Sequence, residues 1–155
     1  MQDEQRLIEE GPAAQTAALD EIKSLGAEVV KVTINWRNIA PGGSRKPAGF
    51  VGDNPAEYAP ANWAMYDSLV RGAAARGLRV MFLVGGHAPD WAVGSGSRTG
   101  VFRSNAVEFG NFVKALGARY SGTYNPGGPA GGPPPPPGPP PCSTPTPSVS
   151  PCTAS

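Results

Sequence analysis

The feature of this sequence that most limits its fold is a switch, made twice, from a helical to a strand pattern of apolar residues. Helices are predicted at residues 12–25, 62–76 and 104–120, and strands at residues 28–36 and 79–84. In each helical stretch the apolar side chains recur at steps of three and four, as on one face of an α-helix. The order helix, strand, helix, strand, helix predicts right-handed crossovers and a parallel sheet.

The two predicted strands carry different patterns. In residues 28–36, apolar Val30, Val32 and Ile34 alternate with polar residues, which is the period of a half-buried strand. The second strand is continuously apolar from Val80 onward. An unalternating run of this kind predicts a strand that is buried on both faces, as in parallel sheets.

The links that precede the strands are short, and the links that follow them are long. Gly26 and Gly77 stop two helices immediately before the strands, whereas residues 38–59 and 87–103 form long strand-to-helix loops. This asymmetry is typical of β/α barrels, whose sites are built from the loops after the strands. We therefore predict a partial (β/α)8 (TIM) barrel with about its first three βα units. A doubly wound open sheet is the alternative, but no Gly-rich phosphate loop of the expected spacing follows a strand.

Composition divides the chain at about residue 125. Residues 125–155 consist mainly of Gly, Pro, Ser and Thr and hold too few apolar side chains to offset the entropy of ordering them. We expect residues 1–124 to fold and residues 125–155 to form a disordered tail. The proline runs at 133–137 and 139–141 favour a polyproline II rod, which adaptor domains bind. A second interpretation is that residues 125–155 are a disordered linker. The abrupt change in composition favours a third, in which these residues come from GC-rich DNA translated out of frame.

Charge, hydropathy and cysteine content argue against several classes of protein. The formal net charge is +1 with acids and bases mixed, so no basic stripe points to nucleic acid. No apolar run approaches the ~20 residues that span a bilayer, and no polybasic run points to a membrane surface. The first ten residues are polar and acidic, unlike a signal peptide, and the localisation stays open. Cys142 and Cys152 have no neighbouring His, so neither a metal site nor a cofactor is predicted.

Two segments that directly follow the predicted strands carry a distinctive order of residues. They are residues 35–41 (NWRNIAP) and residues 85–92 (GGHAPDWA). With this order and spacing, residues 1–124 resemble the clan of barrel glycoside hydrolases that includes cellulase-like and β-xylosidase-like families. The pair Tyr66-Asp67 fits the same pattern, and residues 2–4 are similar to the end of the clan's first strand.

The resemblance implies hydrolysis of O-glycosyl bonds in β-linked oligo- or polysaccharides. Such enzymes use two carboxylates, about 5–5.5 Å apart when configuration is retained. In the clan, the acid/base Glu follows the fourth strand within Asn-Glu-Pro, and the nucleophile Glu ends the seventh strand. This sequence has no Asn-Glu-Pro, so we carry over no catalytic residue and expect a truncated chain that is inactive alone. Members of the clan are often secreted.

The resemblance also implies a set of substrate-binding residues at the strand ends. Trp36 and Trp91 are aromatic platforms for pyranose rings, but Trp36 is in phase with the apolar strand residues and equally suits the core. Asn35 either binds a sugar hydroxyl or fills the interior, and His87 either contacts sugar or binds backbone. The candidates are Asn35, Trp36, Arg37, His87 and Trp91.

A different class of function remains open from the residues alone. A non-catalytic carbohydrate-binding protein would use the same tryptophans, and a Pro-rich adaptor-binding protein would use the tail. The last predicted strand has an unpaired apolar edge, which predicts non-specific self-association.

Overall fold

The computed structural model describes residues 3–94 and 103–122. Two parallel strands, four α-helices and three short turns of other helical types make up the described chain. The strands are β1 (Val29–Asn35) and β2 (Arg79–Gly85). The helices are α1 (Pro12–Ser24), α2 (Trp36–Ile39), α3 (Pro60–Ala74) and α4 (Ala106–Tyr120). A π-helical turn occupies Gln5–Glu9, and 3₁₀ turns occupy Pro55–Glu57 and Asp90–Ala92.

The sheet contains β1 and β2 only, within the described residues. The strands are parallel, with Val29 opposite Arg79 and Asn35 opposite Gly85. Helices α2 and α3 connect them, so the described chain contains one complete βαβ unit. The predicted partial TIM barrel of about three βα units is wrong, because a barrel needs a series of adjacent strands and residues 3–94 and 103–122 contain one strand pair.

The first predicted βα unit fails at its strand. Asp3 and Glu4 lead into the π-helical turn Gln5–Glu9 and do not end a strand. Fully buried Leu7 holds this turn against the core, and Leu7 O accepts a 2.6 Å hydrogen bond from Gln15 Nε2. The N–H of Thr33 on β1 donates to the Glu4 carboxylate at 3.0 Å and not to a neighbouring strand. A side chain therefore occupies part of the edge where a first strand was expected.

Helix starts differ from the prediction for local reasons. Helix α3 begins at Pro60, two residues before the predicted start, because proline suits the first turn of a helix. Asn62 therefore lies inside the first turn, where its Nδ2 donates to Ile39 O at 3.1 Å. Helix α4 begins at Ala106, two residues after the predicted start, because Asn105 caps it: Asn105 Oδ1 accepts from the N–H groups at 107 and 108 at 3.0 and 3.2 Å.

The helices cover one face of the sheet. Val30, Val32 and Ile34 are fully buried on that face. On the opposite face Met81 is 56% exposed and Leu83 is 48% exposed, so the prediction that the second strand is buried on both faces is wrong. An apolar run shows that a strand can be buried, whereas its burial depends on a covering layer.

The core consists of two groups of side chains. One group packs α1 and α3 onto the middle of β1 through Leu19, Leu69 and Val32. The other is aromatic and lies at the carboxyl end of the strands, where Phe112 of α4 stacks on Trp36 at 5.9 Å and on Trp63 at 6.4 Å between ring centroids. The aromatic group attaches α4 to the rest of the fold.

The predicted tail, residues 125–155, lies outside the described residues, together with its proline runs and both cysteines. None of the helices in the described part of the chain is long and apolar enough to cross a bilayer.

Candidate functional site

A polar cleft of about 170 Å³ opens at the carboxyl end of β1. This is the edge of a parallel sheet where α/β proteins bind ligands. The π-helical turn, β1, α2 and α3 all contribute to its walls. The lining residues are Glu4, Ile8, Glu9, Thr33, Asn35, Asn38 and Tyr66.

Asn35 is the last residue of β1 and has two hydrogen-bonding ends. Its Oδ1 accepts from the N–H of Arg37 at 3.1 Å and so caps helix α2. Its Nδ2 has no partner within the described part of the chain. The amide can therefore donate to a ligand in the cleft while its oxygen stays in place.

Gly86 makes room for this amide. Its φ of 80° lies in the left-handed region, and a Cβ at this position would lie 2.5 Å from Asn35 Cγ. Both conformation and space therefore demand glycine here. The turn after β2 thus holds the Asn35 side chain from behind.

Hydrogen bonds connect Tyr66, which lines the cleft, to Thr33 of β1 and through it to Glu4. The Tyr66 hydroxyl donates to Thr33 O at 3.4 Å, and the Thr33 N–H donates to Glu4 Oε1 at 3.0 Å. Burial raises the pKa of Tyr66, and the charges of Glu4 and Glu9 raise that pKa further. The phenol therefore stays protonated at neutral pH and keeps its hydrogen bond to Thr33 O.

These groups define the chemistry of the cleft. Carboxylates supply acceptors, and the Asn35 amide supplies a donor, next to a single apolar residue, Ile8. A ligand rich in hydroxyl groups needs this mixture of donors and acceptors. In residues 3–94 and 103–122, no group of three or more His, Cys, Asp or Glu is arranged to hold a metal ion.

Trp36 does not face the cleft. It is 2% exposed, and its ring packs against Trp91, Phe109 and Phe112 with centroids 6.1, 5.6 and 5.9 Å away. The Trp36 ring therefore packs inside the aromatic core, which is the second of the two interpretations that the sequence left open. Its buried Nε1 has no hydrogen-bond partner among the described residues.

Arg37, His87 and Trp91 join the two segments that follow the strands. The N–H of Arg37 donates to His87 O at 3.1 Å, and its side chain binds Ala88 O at 3.1 Å and Asp90 at 2.5 Å. Trp91 Nε1 donates to Pro41 O at 2.8 Å. The His87 side chain is exposed. Of the five predicted residues, only Asn35 lines the cleft.

Sequence reasoning missed most of the cleft. Thr33 and Asn35 share one face of β1, so the strand period alone was enough to place Thr33 beside Asn35. Glu4 and Glu9 gave no comparable signal, because a π-helical turn has no pattern that a search for 3.6-residue periodicity detects.

No family model matches the chain, and no curated protein or solved structure is significantly similar to it.

Proposed function

We propose that this chain binds one sugar unit of a β-linked oligosaccharide in the cleft at the end of β1 and does not cleave it. The observation that carries the proposal is the Asn35 amide, because Asn35 lines the cleft and its Nδ2 has no hydrogen-bond partner among the described residues. The class of ligand comes from the resemblance of residues 35–41 and 85–92 to glycoside hydrolases.

The size of the cleft supports a short ligand. Pockets for drug-sized molecules span about 300–1,000 Å³, and this cleft holds about 170 Å³. A single ring with its hydroxyl groups suits this volume, and the rest of an oligosaccharide would extend into solvent. The neighbouring polar groups, Asn38 and Glu9, lie on exposed positions and suit contacts at the rim.

The roles of the carboxylates favour binding over cleavage. Glycosidic cleavage needs a proton donor and a second carboxylate across the sugar. Glu4 Oε1 instead holds the N–H of Thr33 at the edge of the sheet. The Asn-Glu-Pro that carries the acid/base in the resembled clan is absent from the sequence.

A matched pair of substitutions tests the binding site by calorimetry with cello- and xylo-oligosaccharides. Asn35→Asp keeps the oxygen that caps α2 and removes the amide donor, so we expect about tenfold weaker binding, equivalent to one hydrogen bond. Asn105→Asp makes the same exchange at the cap of α4, away from the cleft, and should bind as the unmodified chain does. Equal affinity of the Asn35→Asp chain and the unmodified chain would contradict the proposal.

Assays with aryl glycosides test the absence of cleavage. We expect no turnover above the blank. Turnover that Glu4→Gln or Glu9→Gln abolishes would instead identify a hydrolase. The adaptor-binding alternative predicts that a domain that recognises proline-rich peptides titrates the chain while oligosaccharides do not.

A further inference from the structure

Strand β2 forms one edge of the sheet within residues 3–94 and 103–122. The N–H of Arg79 donates to Glu28 O at 2.9 Å, so Arg79 turns its backbone groups toward β1. Because these groups alternate in direction along a strand, Val80, Phe82 and Val84 turn theirs away from β1. No further strand lies along this edge in the part of the chain that the structure describes.

The uncovered face of the same strand is apolar. Met81 and Leu83 are about half exposed there, although they lie on a strand and not in a loop. An open edge beside exposed apolar side chains is a template for pairing with another strand.

The strand is nearly a palindrome. Residues 80–84 read Val-Met-Phe-Leu-Val, so the order of side chains is almost the same in both directions from Phe82. A sequence of this kind matches a second copy of itself when the two run antiparallel.

We propose that β2 pairs antiparallel with β2 of a second copy of this chain, about a twofold axis at Phe82. The six outward backbone groups of each strand then meet those of the other in three hydrogen-bonded pairs. The product is a continuous four-stranded sheet. Sheets of three or more strands are stable where a two-stranded one is marginal.

This register also suits the side chains. Met81 lies opposite Leu83 of the second copy in a pair that is not hydrogen-bonded, where side chains approach most closely. The two such pairs cover the exposed apolar residues of both copies. Arg79 lies opposite Gly85 of the second copy, so no like charges face each other.

Sedimentation velocity of the full chain across a range of concentrations tests the proposal. We expect a monomer–dimer equilibrium with a dimer of twice the 15.9 kDa chain mass. A monomer at every concentration would overturn the proposal. So would a series of larger species that the substitutions below do not affect.

Two double variants test the register. Met81→Lys with Leu83→Lys sets Lys opposite Lys, and the dissociation constant should rise at least about tenfold. Met81→Lys with Leu83→Glu removes the same apolar groups but sets Lys opposite Glu, so the dimer should persist. The control, Leu25→Lys with Val107→Lys, changes exposed apolar residues outside β2 and should leave dimerisation unchanged.

Mixing provides an independent test. The chain with Lys at both positions and a chain with Met81→Glu and Leu83→Glu should each be folded monomers by circular dichroism, and they should form heterodimers when mixed. Folded variants that do not combine would overturn the proposal. Equal weakening of the dimer by the Lys/Lys and Lys/Glu variants would overturn it too.

Discussion

Asn35 connects the sheet, a helix and the cleft through one side chain. Its oxygen caps α2, the residue lines the cleft, and Gly86 leaves the space that its amide occupies. The sequence placed Asn35 at a strand end, because alternation in β1 is clear. It did not show that the next residue, Trp36, turns into the core, since the strand ends at Asn35 and the chain then follows a helical turn.

Substitution of Gly86 tests this support. Gly86→Ala places a left-handed backbone on a residue with a Cβ and pushes that Cβ against Asn35, at a combined cost of about 2–4 kcal/mol in the free energy of unfolding. Gly77→Ala is the control, because Gly77 has a φ of 65° and open space around it, so only about 1 kcal/mol is expected. Urea unfolding measures both, and equal losses would contradict the close approach.

Helices α3 and α4 are joined by a charged cluster. Arg119 binds Asp67 through two hydrogen bonds of 3.0 and 2.6 Å, and the Tyr120 hydroxyl donates to Asp67 at 2.9 Å. Arg119 also lies over the Trp63 ring, with its guanidinium carbon 4.9 Å from the centroid. The side chain of Arg119 is almost fully buried, so this cluster has more influence on stability than an exposed ion pair.

Removal of the Asp67 carboxylate should therefore weaken the packing of α4 against α3. Asp67→Ala leaves Arg119 buried without its carboxylate, and we expect a loss of about 3 kcal/mol in the free energy of unfolding. Asp20→Ala breaks the surface ion pair between Asp20 of α1 and Arg76, which follows α3, and should change stability little. Urea unfolding of both variants measures the difference. If both variants unfold at the same urea concentration, the α3–α4 cluster does not stabilise the fold.

The positions of the helices and strands along the chain were more predictable than their burial. The starts or ends of α1, β1, β2 and α4 lie within two residues of the prediction, because apolar periodicity is local. The exposed face of β2 was not predictable from its apolar run, because burial depends on which elements cover it. The turn at Gln5–Glu9 was missed because its main anchor, Leu7, has no periodic neighbours.

At the scale of the whole molecule, the two segments that resemble glycoside hydrolases did not determine the number of strands in the sheet. Residues 35–41 and 85–92 follow strands in a single βαβ unit in the same way as they would in a barrel. They therefore place side chains at the end of a parallel sheet without determining how many strands it has. The observed sheet has two strands in the described residues, one largely uncovered face, and no further strand beside β2.

The raised pKa values of three buried tyrosines predict how the free energy of unfolding changes with pH. Burial raises the pKa of Tyr58, Tyr66 and Tyr120 above the ordinary value of 10.0. In the unfolded chain these phenols ionise near pH 10, while in the folded chain they stay neutral. The stability they contribute is therefore present below pH 10 and is lost as the pH rises toward the folded values.

Urea unfolding between pH 8 and about 11 measures this loss. The free energy of unfolding should fall as the pH rises, and a chain with all three tyrosines changed to Phe should show a shallower fall. Lysine residues ionise in the same range and are present in both chains, so the difference isolates the tyrosines. Identical slopes would show that the three phenols ionise freely in the folded protein.

The most direct measurement of the central claim is a titration of the isotope-labelled full chain with cello- and xylo-oligosaccharides, followed by nuclear magnetic resonance. Saturable shifts should appear at the backbone amides of Thr33 and Asn38 and at the Asn35 side-chain amide, while amides of α4 stay unchanged. An absence of saturable shifts, or shifts that avoid the end of β1, would contradict carbohydrate binding in this cleft.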